Sequence, residues 1–543
     1  MVTAAILLTV FRMVVLPVQF ADRQFGQSQQ RIDLMVEKAE AYFNRQYAGQ
    51  TTFSFEVAPI ITLSREAAWY GANQGDRRDV RLHEAVREAV EKQQPLLNFN
   101  LYDNDADGFV DNICLITAGP GEQDSGSEDD IWPQMDRLAD HGGSLPAGDK
   151  KIDRFTASPE GHLGIFCHEF GHVLGLKDLY DTDGAFSGGL SSGLYGLALM
   201  DEGCRGENPP DFTAIEYESL GLGRCDTLEI RHYDLPPLQK GRTYLKALTE
   251  QKDEFFLFGN DNGRLFIFHM DRSGNPAGQS THYGTELTAA ERWELGAVND
   301  NPEHPCAMLV PADPAAGPAG GLSFPQPGIA QFGSDSPVPF RSWQGITSSL
   351  ALTSISSHPD KSISFDVIEP IRLTDLTVFQ DAAILCWEFS EKLGKIQGAE
   401  VTWSDGEEEF RLALGPQSTS CTLENLQPKT GYAVTVRITT ADGTSFSASD
   451  RFTTKIYREG TYPYIYLNNV PRNLDGSFQS GAKIPLRVFN ATDVLDVRWS
   501  LDGVSVNPGP DGRYTIHKSG TLKAVIYHTD GSTETLIKEI LVP

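Results

Sequence analysis

His168, Glu169 and His172 stand in the order His-Glu-x-x-His, and Gly175 and Asp178 follow in the stretch HEFGHVLGLKD. In a helix, residues four apart lie on one face a single turn apart, so the two imidazoles can meet one ion. Zinc takes nitrogen ligands at about 2.0–2.1 Å, and its catalytic sites use three protein ligands and a water. A third ligand is therefore needed. Gly175 tolerates the left-handed conformation that ends helices, which lets the chain bend back and bring Asp178 to the metal. Glu169 sits beside the open position, where it can take a proton from a water whose pKa the metal lowers to about 7. The expected chemistry is one-step hydrolysis with no acyl-enzyme. His-Glu-x-x-His also arises by chance on surface or core helices; the added Gly175 and Asp178 argue against chance.

These residues need a helix over 161–174 and a floor beneath it. The stretch Gly196-Leu197-Ala198-Leu199-Met200-Asp201-Glu202-Gly203 fits a turn that places Met200 under the metal. Upstream, Met13–Asp22 reads as a first core strand, Arg31–Gln46 as a helix with Ile32, Met35, Val36, Ala39 and Phe43 on one face, His83–Gln94 as a second helix and Ile113–Ala118 as a short strand. From about 226 to 368 the texture turns to strands. Glu254–Gly259 and Arg264–Met270 are joined by Asn260-Asp261-Asn262-Gly263, a hairpin signal. Residues 370–455 alternate at short intervals, with Trp387 and Trp403 for a core and Leu426-x-Pro428-x-Thr430-x-Tyr432 for a tyrosine corner. This stretch resembles a fibronectin type III domain. Ile484–Asn490, Val494–Leu501 and Thr521–Tyr527 suggest a further Ig-like sandwich over 456–543. The expected division is 13–225 for the metal domain, 226–368 for a β-rich accessory domain, then 370–455 and 456–543 for two sandwich modules.

A second metal is expected upstream. Asp103, Asp105, Asp107 and Asp111 alternate around Gly108, and Phe109 can offer its carbonyl, a loop of the kind that wraps oxygen ligands around Ca²⁺. Cys114 stands where an EF-hand has its bidentate Glu, so this is calcium-loop-like and not an EF-hand. Glu128, Asp129 or Asp130 are available to complete the shell. The rival reading is a solvated acidic turn.

The bulk figures narrow the partners. A chain of 543 residues with 40% hydrophobic content is globular and multidomain. A formal charge of -29 repels a phosphate backbone, which excludes nucleic acid as a natural partner. The seven cysteines are scattered and form no disulfide framework; an isolated Cys204–Cys225 bridge is the pairing considered. Met1–Phe11 is apolar, without a preceding basic residue or a clear cleavage site, so it reads as a weak leader or a miscalled start. No later run is long and uncharged enough to span a bilayer.

The zinc stretch with its Gly175 bend resembles the extended motif of metzincins, with Asp178 in place of the usual third histidine, and the Met200 turn resembles their Met-turn. HEFGHVLGLKDLYD, GLYGLALMDEG and Ala214-Ile215-Glu216-Tyr217-Glu218-Ser219-Leu220-Gly221-Leu222 together resemble the M6 family of secreted peptidases, the immune-inhibitor-A-like group. Asp103–Asp111 followed by Ile131-Trp132-Pro133, the strand ending Phe20-Ala21-Asp22, and Phe266–Asp271 are similar to that family too. The resemblance covers roughly residues 13–368. It implies an α+β metzincin-like catalytic domain, followed here by the β-rich domain and the two all-β modules. It also implies a zinc endopeptidase that acts on protein or peptide substrates, extracellular or host proteins among them, and that is secreted or held at the surface of a bacterium. Lys177 stands where the family commonly has proline, Gln134 where it has histidine, and the stretch from Glu254 to His269 is shorter than expected. No long propeptide is seen ahead of the first strand. The rival function is a catalytically inactive peptidase scaffold that presents Ig-like modules for adhesion.

Other residues keep blander roles. Cys167 is read as core packing and His162 as too far along the helix to share the ion. His269, Asp271 and His304 suit either a cation site or hydrogen bonding. Tyr180, Tyr195 and Tyr217 are open alternatives for an oxyanion donor.

Overall fold

The apolar runs at Met13–Val18 and Ile113–Ile116 lack polar alternation, the mark of strands covered on both faces. In the computed structural model, which describes residues 9–543 apart from 76, 319, 456–462, 468–469, 471, 474–475 and 511, both runs lie at the centre of a six-stranded sheet. Residues 1–8 of the apolar N-terminal run lie outside the described residues. Strand β1 (Thr9–Gln19) runs between parallel β2 (Thr51–Val57) and β3 (Ile113–Thr117). The short Ile61–Thr62 strand also pairs with β1. Beyond β3 lie β4 (Gln134–Arg137) at the edge and β5 (Arg154–Pro159), with β5 parallel to β3 and β4 antiparallel to β5.

Alternation along these strands feeds two cores. Met13, Val15, Cys114 and Ile116 pack against helix α1 (Gln29–Tyr47), whose buried face carries Ile32, Met35, Val36, Ala39 and Phe43. Val14, Leu16, Val18, Ile113 and Leu115 pack on the other side against α2 (Leu82–Gln93). Each large aliphatic or aromatic side chain so buried contributes about 1.5–3 kcal/mol. Helix α3 (Leu163–Val173) shares the first core: Phe170 meets Phe43 edge-on, ring centroids 4.8 Å apart. That packing fixes which way the histidine face of α3 points.

By contact density the chain divides into two units. One holds the residues up to Gln331 with Arg341–Ile346 and Thr353–Asp366; the other holds Phe332–Phe340, Thr347–Leu352 and everything from Val367 onward. The first unit also contains a five-stranded sheet, β6 (Arg224–Thr227), β7 (Thr243–Leu248), β8 (Glu254–Asp261), β9 (Arg264–Asp271) and β10 (Ala307–Leu309), in that order. Asn262 and Gly263 join β8 to β9 with φ of 48° and 89°, the two positive values that a tight type I′ hairpin turn demands.

In the second unit, β11 (Ile371–Val378), β12 (Ala382–Phe389) and β15 (Ser420–Glu424) form one sheet, and β13 (Ile396–Ser404), β14 (Glu409–Leu414), β16 (Gly431–Thr440) and β17 (Ser445–Thr453) another. Trp387 is buried between them, while Trp403 is only partly covered. The Tyr432 hydroxyl accepts a hydrogen bond from Gln427 N at 2.9 Å, which closes a tyrosine corner. Residues 494–540 add a four-stranded sheet with its own core around Trp499, Leu501 and Leu522. The single strand expected over 484–490 is two: Lys483–Pro485 pairs with Arg513–Thr515, and Arg487–Phe489 with Tyr464–Tyr466. Pro485 has no N–H to continue a ladder, so the chain changes partners there.

Among the described residues no helix is long and apolar enough to cross a membrane. All seven cysteines are free, so the Cys204–Cys225 bridge is not formed: Cys225 is exposed on β6, and Cys204 lies beside α3.

Candidate metal centre and its surroundings

The end of α3 builds the site. Gly175 has φ +102°, its N–H bonds His172 O at 3.0 Å, and Leu176 N bonds Gly171 O at 3.0 Å. These two bonds are the Schellman termination, which needs a residue at ease with positive φ. The chain reverses, and Asp178 returns toward the histidines. Its Oδ1 lies 3.1 Å from His168 Nε2 and 3.3 Å from His172 Nε2. The imidazoles stand at 88° to one another, ring centroids 4.8 Å apart.

The far nitrogen of each ring is already engaged. His168 Nδ1 meets Leu199 O at 3.0 Å, and His172 Nδ1 meets Leu176 O at 3.0 Å. A carbonyl can only accept, so both Nδ1 atoms carry the proton and both Nε2 atoms present lone pairs. Asp178 Oδ1 is buried and has no hydrogen-bond partner, although it lies beside both Nε2 atoms. Ligands bonded to zinc at about 2.0–2.1 Å in tetrahedral array stand about 3.3 Å apart. The donor spacing and the orphaned oxygen therefore fit a zinc ion.

The three groups also act on one another electrostatically. Burial works to raise the Asp178 carboxyl, but the facing His168 and His172 rings outweigh it and hold it well below the usual range. Burial likewise opposes the imidazolium forms, and Asp178 overcomes it, so both histidines are held above their ordinary value. Glu169 is 5% exposed, and burial pushes its carboxyl up to about 7 against the pull of His168 and His172. Its Oε2 has no hydrogen-bond partner.

Met200 is fully buried under α3, and a Cβ added to Gly171 would come within 2.6 Å of its Sδ. A pocket opens beside His168 and Glu169, with Trp132, Pro133, Ile165, Tyr180 and Cys204 among its walls. The Arg78 guanidinium covers Trp132 at 3.6 Å. Of the three tyrosines weighed from sequence, Tyr180 lines this pocket, its ring stacked 6.1 Å from that of His168. Tyr195 is 44% exposed and away from the pocket walls, and Tyr217 is buried in the core. Cys167 is buried in the core, and His162 caps α3 and pairs with Asp124 at 3.4 Å. Cys204 had no signal in the sequence; Trp132 and Leu199 lie in stretches singled out there, but nothing local marked the Trp132 ring as a pocket wall or the Leu199 carbonyl as the partner of His168.

The acidic loop is partly convergent. Carboxylate oxygens of Asp103, Asp105 and Asp111 gather within 4.8 Å of one another. Asp107 and Phe109 are not in that group: Asp107 turns back to accept from Phe109 N at 2.7 Å. Lys150 Nζ sits on Asp103 Oδ2 at 2.6 Å. Asp181, Asp183 and Asp300 also converge, and burial raises Asp300 to about 6. Away from these loops, His269 pairs with Glu254 at 2.8 Å and His304 with Asp271 at 2.9 Å, both rings stacked on Trp343.

Comparison with known proteins places this geometry. Residues 17–216 match the family model described as immune inhibitor A peptidase M6, catalytic domain. Over this segment the chain is similar to M6 peptidases. The chain is 31% identical over 180 residues to immune inhibitor A of Bacillus thuringiensis subsp. alesti, covering 27% of this chain and 26% of that protein. It is 28% identical over 174 residues to the pre-pro-metalloprotease PrtV of Vibrio cholerae serotype O1, covering 26% of this chain and 18% of that one. The match thus spans about a quarter or less of these relatives' length. Downstream of the M6 segment, residues 372–455 match the fibronectin type III family model. The solved fibronectin type III domain of human collagen alpha-1(XX) aligns with 16% of this chain and 89% of its own, at 21% identity and a TM-score of 0.15.

Proposed function

We propose that this protein is a zinc-dependent endopeptidase acting on protein substrates, with His168, His172 and Asp178 as the metal ligands and Glu169 as the general base. The observation that carries the reading is the convergence of two Nε2 lone pairs and one orphaned carboxylate oxygen at tetrahedral ligand spacing. Zinc, when bound there, would polarise the scissile carbonyl and acidify the attacking water. Glu169 takes a proton from that water and delivers it to the departing amine. A buried carboxyl with its pKa near neutrality suits both accepting and releasing a proton. Tyr180 faces the same space and is the tyrosine we assign to the negative charge that develops on the carbonyl oxygen. Trp132, Pro133 and Ile165 supply an apolar wall for a side chain next to the scissile bond.

The reading includes a metzincin-like catalytic fold, supported by the α3 ligand pair, the Gly175 reversal and Met200 beneath. It includes a structural calcium ion in the 103–111 loop, supported by the convergence of Asp103, Asp105 and Asp111; the ion would displace Lys150 from Asp103. It also places the protein outside the cytoplasm of a bacterium, in keeping with its acidic charge and its bacterial relatives.

The test is Glu169→Gln in the full chain. The variant retains one zinc per chain by metal analysis while casein digestion falls at least 10²–10⁴-fold, about the contribution of general acid–base catalysis. Undiminished digestion by this variant, or wild-type digestion indifferent to a chelator, overturns the assignment. A scaffold kept only for adhesion digests nothing in either state.

A further inference from the structure

We infer that Cys204 is an internal thiol ligand for the metal centre, able to take the coordination position that water needs and so to close the site. The inference rests on the zinc reading above and names a regulator of that same site. Cys204 and His168 line the same pocket. Cys204 is unbridged, and Glu169 and Tyr180 line that pocket too. A second group there also lacks a partner: Glu169, 5% exposed, with its Oε2 unbonded.

The backbone holds the thiol in place. The turn Glu202–Arg205 follows Met200 directly, and the Asp201 side chain ties that turn to Gly196 N. The carbonyls of Cys204 and Gly206 press on Gly164 of α3 so closely that a Cβ there would collide with both. One segment thus delivers both the Leu199 carbonyl that orients His168 and the thiol beside it. The three converging donors lie within 4.8 Å of one another and the sulfur stands outside that group, so this is the open arrangement. Closing requires the Cys204 side chain to swing toward the ion. The S–H bond then breaks, its proton passes to solvent, a metal–sulfur bond forms and the water in that position leaves; nothing is oxidised or reduced. Thiolate is among the strongest zinc ligands, and a centre with four protein ligands is of the closed, structural kind.

The test replaces zinc by cobalt(II) in the full-length protein and follows near-ultraviolet absorption, where thiolate-to-cobalt charge transfer is intense. The band is expected in the wild type, lost in Cys204→Ser and Cys204→Ala, and kept in Cys225→Ser. In parallel, zinc slows alkylation of Cys204 by iodoacetamide in peptide mapping while leaving exposed Cys225 unaffected, a measurement that needs no variant to fold. Cys204→Ala is expected to digest casein faster than the wild type. Cobalt bound without the band, or a band that survives in Cys204→Ser, overturns this inference and leaves the zinc assignment intact. A chain that takes up neither ion overturns both.

Discussion

The carbonyl oxygen of Leu199 lies 3.0 Å from His168 Nδ1, across 31 residues of sequence. This contact sets the tautomer of His168, the first of the proposed ligands, and ties the turn before Met200 to α3. Partners of this kind commonly change metal affinity 10–100-fold when disturbed. The turn is therefore part of the proposed metal centre, while Met200 packs in the core beneath α3.

Zinc removal should destabilise the first unit. An ion present at 1,000 times its Kd contributes about 4.1 kcal/mol to the folded state. A chelator should lower the melting temperature of the wild type and leave that of Asp178→Ala unchanged. Equal responses in the two proteins would count against Asp178 as a ligand.

Gly175→Ala should cost stability and zinc affinity together. The φ of +102° leaves no relaxed conformation for a side chain, a penalty of about 1–2 kcal/mol. Leu176 O, which holds His172, and Asp178 both follow this reversal. Calorimetry with zinc titration reads both effects; a variant that melts lower but binds zinc as tightly as the wild type would separate the bend from the site.

Met200 should behave as a shaped filler. Met200→Leu conserves volume and should cost less than about 1.5 kcal/mol, whereas Met200→Ala opens a cavity worth about 2–5 kcal/mol. Gly171→Ala pushes a methyl against Met200 Sδ. In Gly171→Ala/Met200→Ala the new methyl occupies vacated space, so the double variant should lose less than the sum of the singles. Strict additivity in denaturant unfolding would show that the two side chains do not share that space.

Asp79 should make the protein less stable as pH rises. It is 4% exposed, and burial pushes its carboxyl up to about 7, against hydrogen bonds from Trp132 N and Gln134 Nε2. The native state therefore binds this proton more tightly than the unfolded chain. The stabilisation is present below the unfolded pKa, fades as pH climbs through the native one, and amounts to about 1.4 kcal/mol for every pH unit between the two. Asp79→Asn should gain relative to the wild type between about pH 4 and pH 7. A stability difference that stays level over that window would mean the carboxyl titrates normally.

Local rules made part of this protein legible. The face of α1 follows from the spacing of Ile32, Met35, Val36, Ala39 and Phe43, and the β8–β9 turn from Asn262-Gly263, because each constraint acts within a few residues. Other contacts left no trace. Lys150 on Asp103, Asp300 beside Asp181 and Asp183, and Trp343 between His269 and His304 join residues 39 to 119 positions apart. The strand expected over 484–490 missed the partner change at Pro485, because pairing is a property of two segments and alternation of one.

What the sequence by itself determined is the histidine pair on one helical face, the glycine that reverses the chain, and the apolar runs that become central strands. Each follows from the steric limits of a short stretch of backbone. What only the tertiary structure decided is which carbonyl fixes each imidazole, which tyrosine and which cysteine line the pocket beside His168, and which acidic residues meet. Those depend on helices and strands packing across tens of residues, where burial sets which groups lose water and must find one another.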